Sequence, residues 1–346
     1  MKKILLRQWL AVGDVVVSTS LPKSIHAALP GEFEIHVATS HIELWNNNPH
    51  VTAHAISPHV EIEGIQSVPI HYPNFSISNR VPGHFIEAVH QWFSKYMKVE
   101  VRPNCFHGDL YLSEEEKQWP KCLTGLLELG TKYWLICASS KRDFTCKMYS
   151  REHWQKLVDL IGWTLGSKVR VVQIGAANHD NWPLTGAIDL RGQTNLRDVI
   201  SLTYWSEGCV SLVSFLAHLS AALPEKRPQF IPPDDKPQVS ENQRTMPYIR
   251  PCVVIAGGRE AASWEQYNGH QFLQTIGQLD CCGGGGCWRS RTTALLDGDP
   301  KDKDHLCLHP TKAGKMDVPL CMQLITPERV MESIMGWYRG GVLSIN

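Results

Sequence analysis

The sequence predicts an α/β protein built from two doubly wound, Rossmann-like domains that face a cleft, with a small cysteine-rich insertion in the second domain. Two observations predict this class. Apolar, β-branched segments alternate with segments of helical spacing in two separate series along the 346 residues. Five cysteines then fall in one glycine-containing stretch, residues 281–321. The alternation implies parallel sheets with right-handed crossovers, and the length suffices for two cores.

The first series opens the chain. It predicts a buried strand at KKILLRQ (2–8), a loop at WLAVGD (9–14), a helix at VVVSTSLPKSIHAAL (15–29) and a second strand at FEIHVAT (33–39). Residues 50–130 are rich in His, Pro and Asn, and their pattern assigns no elements. We therefore predict an N-terminal domain at residues 1–130.

The second series begins near residue 132. Strands are predicted at KYWLICAS (132–139), KVRVVQIG (168–175), GCVSLVS (208–214) and CVVIAGG (252–258), and helices at 151–161, NLRDVISLTYW (195–205) and FLAHLSAAL (215–223). TPERVMESIMGWYRGG predicts a last helix at 326–338, because a Thr N-cap precedes Pro at the first helical position. The second domain is thus predicted at 131–346, with a proline-rich surface loop at 224–251 and the cysteine segment at 280–322.

Charge and hydropathy exclude several classes of protein. Lys plus Arg equals Asp plus Glu at 34 each, and no basic stripe with interleaved aromatic residues is present, so nucleic acid is not an expected partner. No segment approaches the roughly 18 uninterrupted apolar residues of a membrane helix. Arg7 and Asp14 interrupt the N-terminal apolar run, which argues against a signal peptide. We expect a cytoplasmic protein whose cysteines serve as metal ligands or redox groups.

Residues that follow strands meet at the cleft of a doubly wound fold. Gly13 and Asp14 follow the first strand, where Gly13 allows a close backbone approach and Asp14 falls at a helix start. Two functions remain open for Asp14. It could cap the helix by accepting N–H groups, or it could act as a general base on an incoming hydroxyl.

The segment SSKRDFTCKMYSREHW follows the first strand of the second domain. Lys141, Arg142 and Lys147 place positive charge where an anionic ligand such as a diphosphate would lie, although a solvated surface loop would have the same composition. Ser150 is predicted to cap the helix that follows.

Four further candidates for ligand binding lie at strand ends of the second domain. Ser214 precedes a helix whose N–H groups would face the cleft, and His218 is either a ligand contact or a buried core residue. Gly258 and Glu260 belong to AGGRE, which is too short for a dinucleotide fingerprint or a P-loop. Since neither motif nor a G-x-S-x-G elbow occurs elsewhere, NAD enzymes, P-loop kinases and elbow hydrolases are disfavoured.

The cysteine segment predicts a structural metal site. Four thiolates suit zinc or iron in a closed tetrahedral site, and metal binding would supply the folding energy of a segment without its own core. The alternative is a set of buried free cysteines on a glycine-rich loop. The predicted ligands are Cys282, Cys287, Cys307 and Cys321, with Cys281 as an alternative to Cys282 and with His305 and His309 as possible substitutes.

Several of these segments together resemble family 9 glycosyltransferases, the ADP-heptose heptosyltransferases. MKKILLRQWLAVGDVVVSTSLPKSIHAALPGEFEIHVAT, with NNNPHV after it, is similar to their N-terminus. The lysine of CKMY, the strand VVQIG, the DLRGQTNLRDVISL segment and the helix SFLAHLSAAL are similar to successive segments of their second half. The likeness covers about residues 1–50 and 132–260. The cysteine segment resembles a branch that heptosylates autotransporter proteins, in which four cysteines hold iron.

The resemblance implies a GT-B fold whose second domain binds a nucleotide diphosphate sugar, and inversion at the anomeric carbon without a catalytic metal. Asp14 would then be the base, Lys147 would neutralise the leaving diphosphate, and Ser214 and His218 would contact the nucleotide or its phosphates. The acceptor would be a hydroxyl group on a protein or a glycan.

Two other functions remain open from the sequence. The chain could be an inactive transferase scaffold that acts as a metal-binding or redox-sensing interaction protein. A nucleotide-sugar epimerase is a weaker candidate, because no carboxylate and histidine set suited to it is evident. Homo-oligomerisation is possible through the proline-rich loop or the cysteine segment.

Overall fold

The computed structural model describes most of the chain. The described residues are 1–57, 61–71, 83–138, 146–177, 181–223, 250–287, 291–296, 298–300, 302–303 and 306–345. The proline-rich loop lies almost wholly outside them, as do Lys141, Arg142 and His305.

A parallel sheet of four strands forms the first half. Its strands are β1 (Lys2–Gln8), β2 (Phe33–Thr39), β3 (Thr52–His54) and β4 (Gln66–Pro69), in the order β3-β2-β1-β4. Its helices are α1 (Val12–Ser18), α2 (Leu21–Ala28) and α3 (Phe85–Met97), with short 3₁₀ helices at Ile42–Trp45 and Lys121–Leu123. Both predicted strands are confirmed with their predicted ends.

The single helix predicted at 15–29 was wrong, because the structure has α1 and α2 there, and α1 begins inside the predicted loop. The hydroxyls of Ser18, Thr19 and Ser20 each donate to the carbonyl three residues earlier, which tightens the chain at the end of α1. Pro22 lies in the first turn of α2, where a missing N–H costs no hydrogen bond. The chain therefore turns between the helices instead of continuing.

A parallel sheet of six strands forms the second half. Its strands are β5 (Lys132–Cys137), β6 (Val169–Ile174), β7 (Ile188–Asp189), β8 (Gly208–Leu212), β9 (Cys252–Gly257) and β10 (His270–Gln274), in the order β10-β9-β8-β5-β6-β7. Its helices are α4 (Arg151–Leu165), α5 (Leu196–Trp205), α6 (Phe215–Ala222) and α7 (Ala262–Glu265), with 3₁₀ helices at Gly166–Lys168 and Asp280–Cys282. The strands and helices predicted in this series are confirmed, while β7 and β10 were not predicted.

The chain ends on a small ribbon and two helices. These are β11 (Pro310–Ala313) and β12 (Met316–Pro319), which pair antiparallel, α8 (Leu320–Gln323) and α9 (Pro327–Arg339). The Thr326 side chain accepts a hydrogen bond from the Arg329 N–H, as the predicted N-cap requires. Within the described ranges, no helix combines the length and the apolar character that a bilayer span requires.

The order of the strands locates the cleft. In the second sheet, chain order reverses between β5 and β8, and in the first sheet the neighbours of β1 are β2 and β4. Ligands of open parallel sheets bind outside the carboxyl ends of the strands at such reversals. The segments that follow β1, β5 and β8 are therefore expected to form a site together.

The two halves are packed closely around this cleft. Buried residues of α1 and α6 belong to one continuous apolar cluster, and the Leu110 N–H donates to the Ala222 carbonyl across the two halves at 3.1 Å. Arg197 of α5 pairs with the Glu116 carboxylate and donates to the Glu43 and Tyr111 carbonyls. These contacts fix the first half against α5 and α6.

Candidate active site

A cleft of about 1010 Å³ opens between the carboxyl edges of the two sheets. Residues of α1, α3 and the Ile42–Trp45 turn line its first-half wall, and the segments after β5, β6, β8 and β9 line the opposite wall. The lining includes Gly13, Asp14, Glu43, Phe85, Lys147, Ala176, Ala177, Gly192, Asn195, Ser214, His218, Arg259, Glu260 and Glu265. Six of the seven predicted catalytic and ligand-binding residues therefore line this cleft, and Gly258 does not.

Gly13 sets the distance between α1 and α6. A Cβ at this position would lie 2.9 Å from His218 Cδ2 and 3.5 Å from the Cα of Phe215. Since real carbon contacts of that kind require about 3.5–4.0 Å, only glycine permits this approach. The helix that carries Asp14 thus lies directly against the helix that carries His218.

Asp14 occupies the third position of α1 and lines the cleft. The N-cap position belongs to Ala11, whose carbonyl accepts from the Asp14 N–H at 2.9 Å. Asp14 is therefore not the N-cap residue itself, and its place in the first turn leaves both functions considered for it open. Its carboxylate is half-buried at the end of the cleft next to α6.

Lys147 belongs to a buried group of alternating charges. Its Nζ is 2.9 Å from Glu260 Oε2 and donates to the Val213 carbonyl at 3.3 Å, while Arg259 Nη1 is 2.7 Å from Glu260 Oε1. Burial alone would raise the pKa of Glu260, but Lys147 and Arg259 outweigh it and hold that pKa below its ordinary value. Two cations around one carboxylate leave net positive charge at this end of the cleft.

Ser214 is the N-cap residue of α6, as its position after β8 predicted. Its hydroxyl contacts the Ser211 hydroxyl at 2.9 Å and makes no capping hydrogen bond to α6. Ser150 does cap α4, because its side chain accepts from the His153 N–H at 3.2 Å. The start of α6 thus faces the cleft at the reversal point between β5 and β8.

His218 is both buried and part of the cleft wall, so its burial leaves the predicted ligand contact open. Its Nδ1 is 2.6 Å from the Tyr267 hydroxyl, and its Nε2 is 3.5 Å from Glu265 Oε2. Burial, reinforced by the charge of Lys147, lowers the pKa of His218 to about 3. The imidazole is therefore neutral near pH 7.

Sequence reasoning missed Arg259, Glu265, Tyr267 and Phe85. Arg259 follows β9 directly, so the rule that strand ends face the cleft could have selected it along with Glu260, whereas Glu265 lies eight residues beyond the strand. Phe85 begins α3 in a region whose pattern gave no assignment. Tyr267 has no signal in sequence, since its role depends on the position of His218.

The far end of the cleft is formed by small residues and a helix start. Ala176, Ala177 and Gly192 follow β6 and β7, and the Gly192 N–H donates to the Gly175 carbonyl at 2.8 Å. Asn195 caps α5 with a complete capping box, which fixes this helix start beside the cleft.

Gly258 is not among the cleft-lining residues, although it was predicted to bind the ligand with Glu260. It lies against the cysteine segment, where a Cβ would be 3.2 Å from Cys282 Sγ and 3.3 Å from Cys321 Cβ. Gly257 beside it has φ +64° and would place a Cβ 2.4 Å from Met322 Sδ. The end of β9 thus contacts the cleft on one side and the cysteine segment on the other.

The cysteine segment gathers its thiols without closing them into a four-ligand set. Burial raises the pKa of Cys321 to about 12, with further contributions from Cys287, Cys307 and Cys281. Among described residues, the only group of three or more candidate ligands whose donor atoms all lie within 4.8 Å of one another is Asp280, Cys281 and His309. Neither the four predicted cysteines nor the set in which Cys281 replaces Cys282 reaches that spacing.

The sulfur of Cys282 contacts backbone groups. It lies 3.6 Å from the Thr275 carbonyl and 3.3 Å from the Leu279 carbonyl, and it accepts from the Gly277 N–H at 3.3 Å. Burial raises the pKa of the neighbouring Cys281 to about 11, with further contributions from Cys287, Cys282 and Cys307.

Among the comparisons with known proteins, only the one with solved structures finds similar proteins. No protein-family model matches the sequence, and no curated protein aligns with it significantly. The structure is similar to a family 9 glycosyltransferase from Veillonella parvula (12% identity, 97% of this chain and 96% of that one, TM-score 0.60). It is also similar to E. coli ADP-heptose LPS heptosyltransferase II (14% identity, 99% of this chain and 100% of that one, TM-score 0.56).

It is also similar to TibC of enterotoxigenic E. coli, a dodecameric iron-containing heptosyltransferase solved with ADP-D-β-D-heptose (15% identity, 98% of this chain and 76% of that one, TM-score 0.61). At these identities the likeness concerns architecture, and it extends over nearly the whole chain. The chain therefore has the GT-B fold of the family 9 glycosyltransferases.

Proposed function

We propose that this protein is an inverting glycosyltransferase that moves a sugar, heptose in the first instance, from an ADP-linked donor to an acceptor hydroxyl. The observation that carries the proposal is that Asp14 and Lys147, from opposite halves of the chain, line one cleft at the strand reversals. A base and a cation facing each other across a cleft are what sugar transfer from a diphosphate donor needs.

In this mechanism Asp14 accepts the proton of the acceptor hydroxyl. The acceptor oxygen forms a bond to the anomeric carbon from the side opposite the diphosphate, and the bond from that carbon to the phosphate oxygen breaks. The electron pair leaves with the diphosphate. Lys147 stabilises the negative charge that develops there, and Glu260, itself paired with Arg259, holds the Lys147 side chain in position.

The remaining lining residues fit the rest of a nucleotide. The start of α6 at Ser214 supplies N–H groups close to the phosphate position, and the helix end has a partial positive charge. The small residues Ala176, Ala177 and Gly192 leave room for a nucleobase, and Asn195 offers polar groups beside it. The donor would thus extend across the cleft, with its nucleobase beside Asn195 and its sugar beside Asp14.

We further propose that the cysteine segment binds structural iron or zinc through Cys281, Cys287, Cys307 and Cys321. Burial raises the pKa of Cys281 and Cys321 and the neighbouring thiols raise it further, so a cation among them would relieve the repulsion of their thiolates. Cys282 is the alternative to Cys281 as the fourth ligand. A bound metal would act there as a cross-link that fixes the segment against the end of β9.

The donor proposal is tested by a thermal-shift panel of ADP, UDP, GDP and ADP-heptose. A ligand at about 100 times its dissociation constant adds roughly 2.7 kcal/mol to the stability of the fold. We expect a shift with ADP and ADP-heptose and none with UDP or GDP. No response to any nucleotide would refute the transferase proposal and favour an inactive binding protein, which the shared cleft of Asp14 and Lys147 otherwise disfavours.

The base assignment is tested separately by Asp14→Asn. The amide cannot accept the acceptor proton, so we expect transfer to fall by at least about 100-fold while ADP binding stays within twofold. The measurement is donor-sugar transfer or hydrolysis together with an ADP dissociation constant. Retained turnover would remove Asp14 from the mechanism, whereas loss of ADP binding would indicate a structural role.

A further inference from the structure

Glu265 is a buried carboxyl group in the cleft wall that the mechanism above does not use. It ends α7, is 4% exposed, and lines the same cleft as Asp14 and Lys147. Its neighbour Trp264 packs against Phe85 of α3 with ring centroids 5.9 Å apart. The residue is therefore held in place by both halves of the protein.

The contacts of Glu265 orient it toward α6. Its Oε2 is 3.5 Å from His218 Nε2, and the opposite nitrogen of that imidazole is 2.6 Å from the Tyr267 hydroxyl. The Tyr267 ring in turn packs edge-on against His84 at 5.0 Å between centroids. Because Gly13 brings α1 against His218, Glu265 lies at the same end of the cleft as Asp14.

The charges around Glu265 determine its form. Four carboxyl groups line the cleft, those of Asp14, Glu43, Glu260 and Glu265, together with two cations, Lys147 and Arg259. Burial, followed by the charges of Glu260 and Asp14, raises the pKa of Glu265 well above its ordinary value. A neutral Glu265 reduces the excess of negative charge on the wall, and an incoming diphosphate favours this form further.

A neutral carboxylic acid offers one donor and one acceptor side by side, which matches a sugar hydroxyl. A phosphate oxygen would be a poor partner, since Lys147 and the start of α6 already form the phosphate end. The transferred sugar must lie between the base Asp14 and the diphosphate at Lys147, and the Glu265 side chain borders that space.

We propose that Glu265 binds a hydroxyl group of the transferred sugar and so determines which sugar is accepted. This inference rests on the proposed function. His218 and Tyr267 act as positioning residues that hold the Glu265 carboxyl group toward the sugar. A site of this kind discriminates strongly against sugars that lack the matching hydroxyl, because the acid would then stay buried without its partner.

The experiment compares dissociation constants for ADP and for ADP-heptose in the intact protein by calorimetry. Glu265→Ala should weaken ADP-heptose about tenfold and leave ADP within twofold, because only the sugar contact is lost. Glu265→Gln has the same shape and also carries a donor and an acceptor, so it should keep most of the sugar-dependent affinity. Lys147→Ala is the comparator and should weaken both ligands.

If Glu265→Ala does not fold, Glu265→Asp replaces it, because that variant keeps the acid but withdraws it by one methylene and should show the same selective loss. Equal changes for ADP and ADP-heptose, or no change for either, would overturn the inference and leave the transferase proposal intact. A loss with Glu265→Gln as large as with Glu265→Ala would overturn the neutral-acid assignment. Failure of the wild type to bind either nucleotide would instead remove the proposed function.

Discussion

The contact between α1 and α6 predicts that Gly13→Ala damages both stability and activity. The new Cβ would start 2.9 Å from His218 Cδ2, so the two helices must separate by about 0.6 Å or more to restore an ordinary carbon contact. His218 cannot rotate away easily, because Tyr267 and Glu265 hold its two nitrogens. Overpacking of this kind typically costs about 1–3 kcal/mol.

The same displacement moves Asp14 relative to the donor, and small misplacements of a reacting group reduce rates strongly. We expect Gly13→Ala to lower Tm by about 2–6 °C and to lower transfer by at least about tenfold, with a smaller effect on ADP affinity. Differential scanning calorimetry and a transfer assay measure the two effects.

Gly162→Ala is the matched control for this substitution. Gly162 lies inside α4, and a Cβ there would meet nothing within 4 Å. The change should therefore stabilise the protein by about 0.5–1 kcal/mol and leave transfer unchanged. A Gly13→Ala variant with wild-type Tm and rate would refute the conclusion that this glycine sets the spacing of the two helices.

Two further predictions concern metal and pH. Cys281→Ser should reduce the iron or zinc content of purified protein, measured by elemental analysis, to well below one per chain, whereas Cys282→Ser should retain it; the reverse result would make Cys282 the ligand. Burial lowers the pKa of His218 and of His270 to about 3. Below about pH 6.5 the unfolded chain therefore takes up protons that the folded chain does not, and the free energy of unfolding decreases as the pH is lowered. His84 and His90, whose pKa burial lowers to about 4, act in the same direction, while Glu265, whose pKa is raised, acts in the opposite direction. The free energy of unfolding should therefore fall by about 2.5 kcal/mol from pH 6.5 to 5.5. Urea denaturation at the two pH values measures this, and a flat or rising stability would contradict it.

The parts of the fold that sequence predicted are those with a strong local pattern. The strand at 169–174 alternates β-branched residues and ends in glycine, and α9 has a cap and a proline that mark its start. The rule that ligands bind beyond the carboxyl ends of the strands then led to the prediction of Asp14 and Lys147 as site residues. The break between α1 and α2 was missed although Pro22 marked it, because the apolar spacing continues across the break.

The parts that sequence did not predict depend on contacts between distant segments. Glu265 follows a strand by eight residues, in a four-residue helix that has no periodicity of its own. Its place in the cleft comes from the packing of Trp264 on Phe85. The ligand assignment of Gly258 assumed that every residue after a strand faces the cleft, but this one turns toward the cysteine segment.

The apolar cluster that runs from α1 through α6 has a consequence for protein engineering. Transferases of this architecture invite chimeras in which the half that recognises the donor is exchanged between proteins. Here such an exchange would cut through a single core, and the carbonyl of Ala222 would lose its partner at Leu110. A functional chimera would therefore have to transplant the matching faces of both helices, so the two halves are not interchangeable modules.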